Sequence, residues 1–242
     1  MKESPYTEKF FADTEEATAN TATLFHNLLT KFFHPNSIVD VGCATGLFLS
    51  KFKNKEILGI DGRWVSTDAL LISKDKFLIA DLSRELPHIT HKFDIALCLE
   101  TAEHLPEKSA DKLVAFLCGL SDKVIFSAAI PHQRGTDHLN EQWQTYWRKK
   151  FGSHEYHCVD CIRPALWNSK AATSYKQNTF LYTTHPQQFR KFEHPILDIV
   201  HPDYWEDRSN PKKIPIALIL DVFPYLPKRL IRYAKSGKSV IE

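Results

Sequence analysis

The sequence predicts an α/β fold built on a mostly parallel sheet with helices on both faces, and three observations carry that expectation. Short, nearly continuous apolar runs alternate with amphipathic stretches through most of the chain, the pattern of parallel strands covered on both sides. Three acids, Asp40, Asp61 and Asp81, close three successive runs. A glycine-bearing turn, Gly42 to Gly46, follows the first of them and leads into an apolar stretch. Strand ends of this kind let a nucleotide-like ligand approach the backbone.

Element by element, Thr21 to Phe33 reads as an amphipathic helix, with Leu24, Leu28, Leu29 and Phe32 at helical spacing and Pro35 behind it. Ser37 to Val41 is the first strand, and Phe48 to Phe52 continues a helix out of the turn. Ile57 to Asp61, Phe77 to Asp81, Phe93 to Leu99 and Lys123 to Ile130 are four more strands, with a helix over Asp111 to Leu120. His157 to Ile162 and Gln177 to Thr183 read as an antiparallel final pair, which makes seven strands. Past His185, prolines and mixed charge break the pattern. A last apolar and then basic element covers Ala217 to Tyr233. The expected organisation is an N-terminal lid segment over 1–20, a main α/β domain over 21–185 and an extension packed on it over 186–242.

The 242 residues suit one α/β domain with such additions. A net charge of +2 gives no global signature of nucleic-acid binding. Five scattered cysteines make no disulfide framework, and the spacing of Cys158 and Cys161 puts their thiols on opposite faces of a strand. The first five residues open no apolar core, and the apolar stretch Ile214 to Phe223 is too short to span a bilayer. A cytoplasmic protein without a transmembrane segment is the expectation. Lys228, Arg229, Arg232, Lys235 and Lys238 form a basic cluster that reads first as a solvated helix end, and otherwise as peripheral contact to an anionic membrane or a phosphate-bearing substrate.

Asp61 stands where an acid can bond ribose hydroxyls, and Asp81-Leu82 where a carboxylate can accept from an adenine amine. The turn lacks the glycines of a G-x-G-x-x-G dinucleotide fingerprint. Together, Val39-Asp40-Val41-Gly42-Cys43-Ala44-Thr45-Gly46, Asp61, Asp81-Leu82 and Phe93 to Leu99 resemble the four motifs of the class I S-adenosylmethionine (SAM)-dependent methyltransferases. The resemblance implies their Rossmann-like fold and SAM as cofactor. It implies that Gly42, Cys43, Ala44 and Gly46 pack on the methionine part, Asp61 grips the ribose, and Asp81 and Leu82 contact the adenine. Asp40, Gly62 and Leu99 complete the cofactor set. Ala44 stands where that family usually has glycine, and it permits close approach if its φ is negative.

Glu100-Thr101-Ala102-Glu103-His104 follows the fourth strand, and Asp137-His138-Leu139-Asn140-Glu141-Gln142 follows the fifth. In such a sheet both loops sit above the reacting methyl group. Two carboxylates and two imidazoles suit a divalent cation, Mg²⁺, Mn²⁺ or Zn²⁺. The pattern is similar to that of the ubiquinone-pathway O-methyltransferases and the small-RNA 2′-O-methyltransferases. By position, Glu100, Glu103, His104 and His138 would be the metal ligands, with His132 and Asp137 as substitutes for His138. His104, His138 and Glu103 would be the catalytic groups, with or without metal.

Asn140-Glu141-Gln142-x-x-x-Tyr146-Trp147 also resembles a run in bacterial and phage methyltransferases associated with glycan or secondary-metabolite modification. The aromatics Trp143, Tyr146 and Trp147 alternatively form the core face of one helix. The expected function is O-methylation of a small hydroxylated acceptor: a sugar, a glycan precursor or a secondary metabolite. The alternatives are RNA 2′-O-methylation and an inactive SAM-binding scaffold subunit.

Overall fold

A computed structural model describes residues 8–192 and 195–209. Seven strands lie in the order β3-β2-β1-β4-β5-β7-β6. They are β1 (Ser37–Val41), β2 (Glu56–Asp61), β3 (Phe77–Ile79), β4 (Ile95–Leu99), β5 (Lys123–Ser127), β6 (His157–Val159) and β7 (Phe180–Thr183). The first five run parallel, while β7 is antiparallel to both β5 and β6. The α/β class, the seven strands and the antiparallel final pair are as the sequence predicts.

Strand alternation sorts the core into two layers. On one face, Ile38, Ile95, Leu97, Ile125, Val159 and Leu181 meet Phe25 and Leu29 of α1 (Glu8–Phe33). On the other, Val39, Ala96, Cys98, Val124 and Phe126 meet α2 (Ala110–Leu120) and α3 (Gln144–Gly152). Cys158 belongs to the second layer and Cys161 to the first, so their thiols serve opposite cores.

Several elements differ in extent from the sequence reading. Helix α1 begins thirteen residues before Thr21, at Glu8, so position 20 lies inside one continuous helix. It ends at His34, whose φ of +45° is the left-handed conformation of a helix C-terminus. β4 starts at Ile95 because Asp94 is used otherwise: its Oδ2 accepts the N–H groups of Asn36 (2.6 Å) and Ser37 (3.2 Å). The Ser37 hydroxyl in turn accepts the Asp94 N–H at 2.9 Å. This exchange pins β1 to β4 in register, with Ile38 beside Ile95.

The helix expected after the glycine turn is one 3-10 turn, Leu49–Lys51. Asn54, at φ +60°, ends this segment and returns the chain to β2. Two short helices, α4 (Arg163–Leu166) and α5 (Thr173–Asn178), fill the connection between β6 and β7, where Gln177 and Asn178 were expected in a strand. Asp81 lies two residues beyond β3 rather than at its end.

The chain divides into a compact unit through Ile199 and a second from Val200, which contains α6 (Pro202–Ser209). Residues 1–7 of the expected lid, and the element expected over Ala217 to Tyr233 with the basic cluster, lie outside the described residues. Among the described residues no helix is long and apolar enough to cross a membrane.

Candidate active site

The site forms along the carboxyl ends of β1, β2, β4 and β5. Gly42 and Gly46 adopt φ of +83° and +78°, which only glycine holds without strain. Space demands glycine at 42 as well: a Cβ there would lie 2.2 Å from Thr101 Oγ1. The turn after β1 therefore touches the segment after β4 directly. Ala44 departs from expectation. Its φ is +48°, not negative, a conformation costing an L-residue about 1–2 kcal/mol. The Ala44 N–H donates to Asp61 Oδ2 at 2.7 Å, which holds the strained turn in place.

Asp61 is buried, and its Oδ1 also accepts the Gly62 N–H at 2.6 Å. Burial raises its pKa, while hydrogen bonds from Gly62, Ala44 and Trp64 oppose the rise. Trp64 lies over Gly62, where a Cβ would meet its ring at 2.2 Å. Asp40 is buried in β1, and desolvation, with the Asp61 charge nearby, pushes its pKa up to about 7. Cys43 and Leu99 are core residues beside the turn. Leu82 is buried too. Asp81 spends its carboxylate on its own turn: Oδ1 accepts from Ser83 N–H (3.1 Å) and Oγ (2.6 Å), and Oδ2 lies 3.2 Å from Arg84 Nε.

The loops after β4 and β5 converge. Glu103, His104 and His138 each place one ligating atom within 4.8 Å of the other two, and among the described residues this is the one such group. The two imidazoles meet edge to face with centroids 4.9 Å apart. Glu103 is 1% exposed, and its Oε2 has no hydrogen-bond partner. Desolvation first, and then the Glu100 charge, hold its pKa well above the usual carboxylate range. A buried carboxylate oxygen without a donor is costly, and a cation is the partner that would satisfy it. Ligands at about 2.0–2.2 Å from a tetrahedral ion stand roughly 3.3–3.6 Å apart, so atoms as far apart as 4.8 Å would have to close by up to about 1.5 Å to hold one.

His104 is held from the other side. Burial, with His138 beside it, lowers its pKa, and hydrogen bonds to the backbone of Asp137 and Thr136 oppose that. The Glu103 carbonyl accepts the N–H groups of Leu139 (2.8 Å) and Asn140 (3.0 Å). The turn Ala102–His104 and the loop after β5 are thus strapped together by backbone as well as by side chains.

Glu100 does not join the cluster. Its φ is +49°, and its carboxylate accepts from Gln133 Nε2 at 2.8 Å and Asn178 Nδ2 at 3.2 Å. Asn178 also donates to Gln133 Oε1 at 2.8 Å. His132 and Asp137, the substitutes considered for His138, are absent from the group. Of the aromatics, Trp147 is core, against Phe126, while Trp143 precedes α3 and is 38% exposed.

Gln133 and Asn178 were not singled out from the sequence, and Glu141 was named only as part of the Asn140-Glu141-Gln142 run, with no role of its own. Asn178 had no local signal, because it arrives by pairing: the β5–β7 register sets Phe180 beside Phe126 and carries residue 178 past the end of β5. Glu141 had one, a carboxylate three residues beyond a candidate histidine.

No family model and no curated protein matches the sequence. Solved structures do match the fold. DesVI of Streptomyces venezuelae superposes with a TM-score of 0.54 at 12% identity, covering 73% of this chain and 95% of that one. The magnesium protoporphyrin IX methyltransferase of Synechocystis PCC 6803 with bound S-adenosylhomocysteine (SAH) superposes at 0.51 and 15% identity, covering 74% and 88%. The fold is therefore the Rossmann-like fold of class I SAM-dependent methyltransferases.

Proposed function

We propose that this chain is a SAM-dependent methyltransferase that methylates a hydroxyl of a small acceptor, a sugar, glycan precursor or secondary metabolite. The observation that carries this reading is the contact of Gly42 with Thr101. It joins the left-handed turn suited to SAM to the segment bearing Glu103 and His104. A cofactor cradle and a proton-accepting cluster then share one edge of the sheet.

Each residue has a role the chemistry needs. Gly42 and Gly46 admit the methionine part to the backbone, and Asp61 offers its carboxylate to the ribose. SAM supplies an activated methyl group, so the protein must position, exclude water and take the acceptor's proton. His104 and His138 are the candidates for that proton, since a positioned imidazole within reach of a hydroxyl acts as a base. Glu103, His104 and His138 would hold a divalent cation, which lowers the pKa of a bound hydroxyl. One carboxylate and two imidazoles suit Zn²⁺ or Mn²⁺ at least as well as Mg²⁺.

Turnover of SAM to SAH against a panel of hydroxylated acceptors tests the proposal, with and without a chelator. Acceptor-dependent turnover supports it, and chelator sensitivity supports the cation. Turnover on RNA alone, or on amines alone, would overturn the choice of acceptor.

A further inference from the structure

The carboxylate of Glu141 is surrounded by donors from its own loop. Its Oε2 accepts the N–H of His132 at 2.8 Å. Its Oε1 accepts the N–H of Arg134 at 2.6 Å and lies 2.8 Å from His138 Nδ1. Both side chains are largely buried, 12% exposed for His138 and 20% for Glu141. This loop also holds three non-glycine residues in the left-handed region: His132, Arg134 and Asp137, at φ of 68°, 62° and 53°. Such conformations persist where the surroundings over-determine them. Two of the three have their N–H groups on Glu141.

An ionised carboxylate accepts hydrogen bonds and has none to give. The neutral His138 ring must therefore carry its proton on Nδ1, which leaves the lone pair on Nε2. Gly135 lies against that second nitrogen: a Cβ on residue 135 would sit 2.2 Å from Nε2 and 2.5 Å from Cε1. The ring occupies the space that a side chain at 135 would take. One residue sets the proton and another leaves room for the ring.

We propose that Glu141 is a positioning residue for His138, fixing its tautomer and presenting Nε2 as the proton-accepting or ligating atom, with Gly135 as the seat of the ring. The proposal rests on His138 working in the reaction proposed above. A carboxylate behind a working histidine orients the ring and raises its basicity. Here the same carboxylate also braces the backbone on which that histidine is carried.

Two-bond ¹H–¹⁵N spectra of the full chain, labelled at histidine, test it. They are recorded at mildly alkaline pH and assigned with His138→Asn. Wild type should show His138 protonated on Nδ1. Glu141→Ala and Glu141→Leu, which leave no acceptor, should shift the ring toward the Nε2-protonated form that free histidine prefers. Gly135→Ala keeps Glu141 and should still displace the His138 resonances. If Glu141→Ala does not fold, Glu141→Leu, of similar size, carries the test.

In turnover assays Glu141→Gln should lose about 10–100-fold, and adding His138→Asn should cost little more. Nε2 protonation in wild type, or an unchanged Nδ1-protonated ring in the acceptor-free Glu141 variants, would overturn the proposal. Unchanged turnover in His138→Asn would instead remove His138 from the proposed reaction, while the ring spectra would still decide what Glu141 does.

Discussion

His104 and His138 face each other edge to face, ring centroids 4.9 Å apart, across two loops that leave neighbouring strands. The strands β4 and β5 are paired in register up to Leu99 beside Ser127, so both loops start from one edge. The sheet brings the two imidazoles together, and the buried Glu103 completes the group.

Glu103 is kept at a cost to stability. Its carboxylate is buried and Oε2 has no partner. Glu103→Gln replaces the buried acid with an amide that does not ionise, so the cation-free protein should melt at the same temperature or a few degrees higher, as at other sites where function opposes stability. Binding of Mn²⁺ or Zn²⁺, followed by calorimetry on both proteins, should be lost in the variant. A variant that melts lower and binds the cation equally well would contradict the assignment.

Two glycines separate the site from the scaffold. Gly42→Ala forces a methyl onto Thr101 at positive φ, and should cost about 1–3 kcal/mol of stability with a clear loss of SAH affinity. Gly119→Ala in α2 meets nothing within 4 Å and should stabilise by about 0.5–1 kcal/mol. Denaturant unfolding of the two variants beside wild type measures both effects.

Asp40 predicts a pH dependence. Its folded pKa of about 7 lies above the ordinary 3.8, so across that window the folded state holds a proton that the unfolded state has released. Stability should fall as pH rises from 3.8 to about 7, by up to about 1.4 kcal/mol per pH unit from this group. Above the folded pKa its contribution levels off. Asp40→Asn should flatten the slope over that window, read as melting temperature against pH relative to wild type.

Much of this was legible in local sequence, and what was not depended on distance. β1 was readable to its bounds because an apolar run sits between Pro35-Asn36 and a glycine turn. β4 was read two residues too long because Asp94 serves the backbone of Asn36 and Ser37, a contact no local pattern announces. The cluster of Glu103, His104 and His138 was readable because the topology fixes where loops after neighbouring strands meet. Glu100 shares its motif, but the pull of Gln133 and Asn178 on it comes from far along the chain. The left-handed Ala44 depends on its bond to Asp61, so its φ could not be read from the turn alone.

The central claim is that the turn from Asp40 to Gly46, with Asp61, is a SAM site. Calorimetric titration of the protein with SAH tests it most directly. The account predicts saturable binding, weakened about tenfold or more by Asp61→Asn through loss of a charge-assisted hydrogen bond. No heat with SAH, together with binding of a nicotinamide dinucleotide, would contradict it.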